Sequence, residues 1–296
     1  MSDRTAISIA KLRHTEMLLE PTKRLFEDPY ARYFFPGSSL MNCMGFSINI
    51  YLNNLICQGF YEMITARTRI IDDLVKAEVA GGATQYVILG AGYDSRGYRL
   101  SLPLSVKVFE VDQLAVQALK RSKIARIPDL PPNNIVHVPV DFNSQSLEEE
   151  LKKASEFDPK AKTVITLEGV SQYIPRDACA STIKTMDSLC GKGSTFFLSY
   201  ADKNTVDDPA KICGPGYANP ATVQRVARGA ALLGEPWISY YDQGEIAGFF
   251  QASSSFSLCA DTSLKEANEK YFAPVGRALT PDRVCSIERY AVAKKR

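Results

Sequence analysis

Histidine is nearly missing from this 296-residue chain: only His14 and His137 occur. The seven cysteines, Cys43, Cys57, Cys179, Cys190, Cys213, Cys259 and Cys285, contain no Cys-x-x-Cys pair. With so few imidazoles, no zinc-finger spacing can be assembled, and metals are expected to be dispensable. An odd cysteine count without paired spacing predicts reduced thiols in a reducing, cytoplasmic compartment. Charge of one sign is lacking too: 35 Lys and Arg against 33 Asp and Glu leave a net charge of +2. A nucleic-acid binder carries a basic excess or stripe, so nucleic acid is not an expected partner. Residues 1–16, MSDRTAISIAKLRHTE, hold scattered charges and no apolar run of the kind a signal peptide needs. Residues 37–61 hold no charge at all, but Asn42, Asn49, Asn53, Asn54 and Gln58 interrupt them. Unpaired amides are costly in lipid, so the expectation is a helical cover over a site and not a membrane span.

What is present reads as one globular domain. Hydrophobic residues make up 45% and charged residues 23%, and a chain this long buries a core without disulfides. Residues 1–80 carry helical spacing, ending in an amphipathic run, FYEMITARTRIIDDLVKAEV, stopped by Gly81-Gly82. Residues 81–200 alternate strand-like runs (YVILGAG, VKVFEVD, NIVHVPVDF, TVITLEGV, STFFLSY) with helical ones. That alternation predicts an α/β fold with a mostly parallel sheet. Residues 201–241, rich in Gly, Pro and aromatics, read as a lid insertion after the fifth strand; residues 242–296 return to the sheet with a helix and two strands.

The chemistry sits at the strand ends. Gly90-Ala91-Gly92 closes the first strand, allowing backbone to approach a nucleotide-like ligand. The second ends in Glu110-Val111-Asp112-Gln113, at the position where an acid hydrogen-bonds ribose hydroxyls. Both dinucleotide and S-adenosylmethionine sites share these features. Three details favour the second. Ser95 replaces the third glycine of a dinucleotide fingerprint. Asp94 over the cofactor suits a cation and repels a pyrophosphate. The third and fourth strands also end in acids, Asp141-Phe142 and Glu168-Gly169. A sulfonium and an amino group match these acids; the cofactor's carboxylate needs a cation, which Arg67 or Arg69 is placed to supply.

The ordered run ARTRIIDDLV, YVILGAGYDSRGYRL, VFEVDQ, VDF and LEGVSQYI resembles the leucine carboxyl methyltransferase family, especially its bacterial-type branch that includes tetracenomycin polyketide carboxyl methyltransferase. RHTE and FEDPYARYF upstream and LLGEPW downstream extend the resemblance over nearly the whole chain. It implies a class I, Rossmann-like, seven-stranded sheet with an added helical cover. It also implies S-adenosyl-L-methionine as cofactor. Arg67 would hold the methionyl carboxylate with help from Arg13. Gly90 would cradle the methionyl part, Asp112 the ribose, Asp141 with Phe142 the adenine, and Glu168 the methionyl amino end. The segment ARTRIIDD follows the small-molecule pattern and departs from the branch that acts on protein phosphatases.

For the methyl acceptor, the expected wall is 37–61 together with 201–241, apolar and aromatic as small-molecule pockets are. Tyr173, Tyr200 and His14 are the positioning candidates. The expected reaction is O-methylation of a small metabolite, on a carboxylate or a hydroxyl, by in-line displacement. A protein C-terminal carboxyl acceptor and a catalytically silent, cofactor-binding homologue remain open as alternatives, and the oligomeric state is open.

Overall fold

The computed structural model describes residues 3–56, 58–141, 144–217, 220–232 and 234–296. Its centre is a seven-stranded sheet: β1 Gln85–Leu89, β2 Lys107–Asp112, β3 Ile135–Pro139, β4 Thr163–Leu167, β5 Thr195–Ala201, β6 Phe256–Thr262 and β7 Glu288–Lys295. The spatial order is β3-β2-β1-β4-β5-β7-β6. β1 to β5 run parallel, and β7 runs antiparallel between β5 and β6. The strand order reverses between β1 and β4, and at such a switch point two connections leave toward opposite faces and open a crevice.

The alternation of side chains along each strand divides the core in two. Tyr86, Ile88, Val108, Val164, Phe197 and Tyr290 pack on one face with the first long helices. Val87, Leu89, Phe109, Val111, Ile165 and Leu198 pack on the other, against Ile183 and Met186 of the helix Arg176–Ser188. Both faces are therefore apolar, as the continuous hydrophobic strand runs require.

Among the described residues, three α-helices precede the sheet: α1 Asp3–Glu16, α2 Ser38–Ile56 and α3 Phe60–Ala80. α3 ends where expected; the Gly81 N–H caps the carbonyl of Ala77. Two buried acids tie the N-terminal segment to the core. Glu16 accepts from the Leu25 amide (2.6 Å), from Arg277 (2.7 Å) and from the Tyr61 hydroxyl. Asp28, fully buried, accepts from Arg13 Nε (2.8 Å), Ser95 Oγ (2.7 Å) and the Ala31 amide (3.0 Å). Burial opposes ionisation of Asp28, but Arg13 and Arg99 outweigh it and hold its carboxyl below the usual range.

The uncharged segment departs from its expected role. α2 is broken at Gly45 (φ +69°, ψ 176°), a left-handed conformation that glycine tolerates. Beyond the break, Ile48, Tyr51, Leu52 and Leu55 fall on one helical face by their spacing, and all four are exposed. Among the described residues of 37–61, only Phe60 reaches the cleft at the switch point. No helix among the described residues is long and apolar enough to cross a membrane.

Candidate functional site

A cleft of about 750 Å³, including its open mouth, lies over the carboxyl ends of β1 and β4. Its floor is the Gly90–Asp94 turn. Gly90 has φ +71°, and a Cβ there would stand 2.6 Å from Val170 Cγ2, so glycine is required on both counts. The amides of Gly90 and Ala91 donate to the Val111 carbonyl. The Gly92 amide donates to Asp112 Oδ2 (2.6 Å), and the Gln113 amide to Asp112 Oδ1 (2.7 Å). Two backbone donors thus fix the Asp112 carboxylate at the end of β2.

The wall facing this turn is a buried ion network. Arg67, on the inner face of α3, donates from Nε to Glu168 Oε1 (2.8 Å) and from Nη1 to both oxygens of Glu288 (2.7 and 2.9 Å). Arg96 joins Glu168 (2.5 Å), Asp94 (2.6 Å) and Asp72 (2.8 Å), and Arg99 makes two bonds to Asp72 (2.6 and 2.7 Å). Four acids, Asp72, Asp94, Glu168 and Glu288, face three arginines, Arg67, Arg96 and Arg99. Asp94 shows the strength of the field. Burial alone would raise its pKa, yet Arg96, Lys120 and Arg13 bring it down to about 2. Arg67 stays charged for the converse reason, because Glu288 and Glu168 outweigh its burial.

Arg67 is 4% exposed, and its Nη2 has no partner among the described residues. The Nη1–Nη2 edge of its guanidinium approaches Gly169 (φ +64°), where a Cβ would come within 3.3 Å of Nη1 and 3.4 Å of Nη2. A glycine after Glu168 therefore makes room for the guanidinium. Arg13 also borders the cleft, held by Asp28 and donating from Nη2 to the Tyr93 carbonyl (2.5 Å). Arg69 faces away: it pairs with Asp73 (2.9 Å), and both side chains are 38% exposed.

The remaining sequence candidates divide. Gly90, Ala91, Gly92, Asp94, Glu168, Gly169 and Tyr173 line the cleft. Asp112 and Gln113 adjoin its floor through the bonds above. Asp141 is exposed at the end of β3, bound by Ser144 Oγ (3.0 Å); Phe142 lies outside the described residues. Three candidates are elsewhere. Glu110 is fully buried two residues before Asp112 on the same strand, paired with Lys120 at 2.7 Å, so it offers nothing to a ribose. Tyr200 points to the opposite face of the sheet and donates to Asp261 (2.9 Å). His14 meets Asn42 at 2.9 Å in a separate pocket beside Asp28. Residues 201–241 contribute Trp237 to the cleft. Glu288, Gln172, Met63 and Ile64, none of them singled out by sequence reasoning, also line it, as do Thr5, Ala6 and Ile9 of α1. Glu288 stands 221 residues from Arg67, at the start of a strand with no motif of its own.

The model of the leucine carboxyl methyltransferase family matches residues 6–187. The chain belongs to the leucine carboxyl methyltransferase family. Among its curated relatives are a Bacillus subtilis (strain 168) protein, 32% identical over 216 residues, and a Frankia alni protein, 30% identical over 206 residues; both are named among the S-adenosyl-L-methionine-dependent methyltransferases. The alignments cover 70% of this chain and 65% of the Bacillus protein, and 69% and 70% for the Frankia pair. A Mycolicibacterium gilvum relative, 36% identical, is covered over 43% of its length and 46% of this chain. In fold, the chain is similar to a Streptomyces avermitilis protein (TM-score 0.61, 15% identity, 97% of each chain). It is also similar to a Thermobifida fusca protein described as a methyltransferase (TM-score 0.57, 16% identity, 90% and 93%).

Membership in that family and the names of these relatives make S-adenosylmethionine the group the cleft would hold. The donor set is compatible with it. The free Nη2 of Arg67 is a cationic donor for a carboxylate. The excess of acid beside it suits an ammonium and a sulfonium. Asp112 is a fixed acceptor for hydroxyls.

Proposed function

We propose that this family member transfers the methyl group of S-adenosylmethionine to an oxygen of a small metabolite, a carboxylate or a hydroxyl. Arg67, with Arg13 beside it, would hold the methionyl carboxylate, Glu168 and Asp94 the cationic end, and Asp112 the ribose. When bound, the cofactor supplies an electrophilic methyl on a sulfur that leaves as a neutral thioether.

The observation that carries the choice of oxygen is in the cleft wall. Trp237 Nε1 is buried there within reach of the Tyr173 hydroxyl, but it makes no well-formed hydrogen bond among the described residues. An indole N–H only donates, and a buried unmade donor costs about 1–3 kcal/mol. Such a group calls for an acceptor oxygen on the molecule that fills the cleft. Tyr173, packed edge-on against the indole with ring centroids 6.4 Å apart, has its hydroxyl pKa raised by burial. It stays protonated near neutral pH and serves as a second donor. A carboxylate, with an unperturbed pKa of about 4, is already ionised and needs orientation without a general base.

The test is single-turnover transfer from methyl-labelled S-adenosylmethionine, with a metabolite extract and a protein fraction offered separately. The expected product is a small molecule whose label is released by mild alkali, as a methyl ester's is, or retained as an ether. The Trp237→Phe variant should transfer about tenfold more slowly at limiting acceptor and bind the cofactor equally well. Label on nitrogen, on carbon or on the protein fraction would overturn the reading, and so would cofactor binding with no transfer.

A further inference from the structure

Two thiols outside the cleft are arranged for chemistry of their own. Cys213 lies in the insertion and Cys285 three residues before Glu288. They face each other as an isolated antiparallel bridge. The flanking hydrogen bonds, Gly214 N–H to the Val284 carbonyl and Ser286 N–H to the Ile212 carbonyl, are both 2.8 Å. This pattern makes the cysteines a non-hydrogen-bonded pair, for which the Cα separation is about 4.5 Å, inside the range of about 4.4–6.8 Å that a disulfide spans. Their sulfurs are 3.1 Å apart. A disulfide bond of about 2.05 Å therefore needs only a small rotation of either side chain.

The two positions are also unequal. Cys213 is partly exposed and borders an open crevice with Lys211 and Ser286, whereas Cys285 is 1% exposed. Contact with Cys285 lowers the pKa of Cys213. Burial instead pushes Cys179 up to about 11 and raises Cys190. Thiolates are the attacking species in disulfide exchange, so among these thiols Cys213 is the reactive one.

We infer that Cys213 and Cys285 form a reversible dithiol–disulfide couple that exchanges with small-molecule disulfides, Cys213 attacking and Cys285 resolving. The Cys213 thiolate attacks one sulfur of glutathione disulfide; that S–S bond breaks, and the departing glutathione thiolate takes up a proton equivalent to the one Cys213 lost. Cys285, giving its proton to water, attacks the Cys213 sulfur and expels the second glutathione, which is protonated in turn. The protein loses two electrons and glutathione disulfide gains them. The bond would fasten the segment entering the insertion, which carries Trp237, to the approach of β7, which carries Glu288. The loop it closes spans 72 positions.

The full chain is equilibrated in glutathione buffers of graded oxidised-to-reduced ratio, quenched in acid, alkylated, digested and mapped by mass spectrometry. The expected result is loss of two hydrogens, a peptide pair linked through Cys213 and Cys285, and reversal by dithiothreitol. The oxidised protein should melt roughly 5–10 °C higher, since a long loop is closed in the unfolded chain. Cys285→Ala should trap glutathione on Cys213, and Cys213→Ser should leave Cys285 unmodified. Should either variant fail to fold, the wild-type peptide map decides alone. A different linked pair, glutathione carried first by Cys285, or thiols that stay reduced in glutathione disulfide alone would overturn the inference.

Discussion

Arg67→Ala separates two roles that one guanidinium performs. In the folded protein Arg67 is the counter-ion of Glu288 and shares Glu168 with Arg96. Removing it leaves Glu168 paired at 2.5 Å with Arg96, but leaves Glu288, 2% exposed, without its cation. An orphaned buried charge of this kind costs about 3–5 kcal/mol of stability. Adding Glu288→Gln removes the orphan, so the double variant should recover most of that loss. Cofactor binding should not follow stability. If Nη2 holds the methionyl carboxylate, both Arg67 variants lose a charge-assisted bond to a buried anion. That is about 2–4 kcal/mol, or roughly 30- to 1000-fold in Kd for S-adenosylhomocysteine. Arg69→Ala is the control: its exposed pairing with Asp73 is worth about 1 kcal/mol or less, and it should leave the Kd unchanged. Urea denaturation gives the stabilities and calorimetry the affinities. A double variant that regained both would show that Arg67 only neutralises Glu288. Equal losses of affinity from Arg67→Ala and Arg69→Ala would show that the wrong arginine had been chosen.

Gly169→Ala should lower stability by about 1–2 kcal/mol through its left-handed backbone and weaken S-adenosylhomocysteine binding about tenfold as the new Cβ presses on the Arg67 guanidinium; unchanged affinity by calorimetry would contradict the close approach described for that residue. His14→Gln and His137→Gln should each leave the single-turnover rate within about tenfold from pH 6 to 9, since neither lines the cleft; a loss beyond about a hundredfold in a folded variant would reveal a base. Burial, with Lys120 and Arg121, lowers the pKa of His137 from 6.5 to about 4. The unfolded chain is then protonated first, so stability falls as pH drops from about 6.5 toward 4. Asp94, lowered from 3.8 to about 2, adds a second loss between those values. Denaturation midpoints across pH should show His137→Gln flattening the upper limb and Asp94→Asn the lower one; limbs unmoved by either change would refute the assignment.

The strands were legible because each is a short apolar run bounded by turn residues, and α3 because its helical spacing meets Gly81-Gly82. The glycine turn and Arg67 were legible from motif order. Other features needed coordinates. Glu110 and Asp112 are two residues apart and share a strand face; only the height of the strand end, and a lysine arriving from the following helix, decide which acid reaches the cleft. Tyr200 sits on the same face of β5 as Phe196 and Leu198, so period-two alternation carries it away from the cleft, whose side Ser199 shares. The uncharged stretch 37–61 reads as a cover over the site, but absence of charge does not say which face of a helix is covered, and beyond the break at Gly45 its apolar face is exposed. Glu288 had no local signal at all, because its position over β4 and β5 follows from the antiparallel entry of β7.

That entry has a consequence for synthesis. β5 is finished at Ala201 and its neighbour β7 begins at Glu288, so a ribosome working at about 5–20 residues per second exposes the outer edge of β5 for roughly 4–17 s. Throughout that interval the nascent sheet presents unpaired amides and carbonyls to any other extended segment, which is the condition under which strand edges aggregate. A chain interrupted between β6 and β7 keeps that exposure permanently and also lacks Glu288. An incomplete product thus combines an open strand edge with a cleft one acid short, both from the same missing strand.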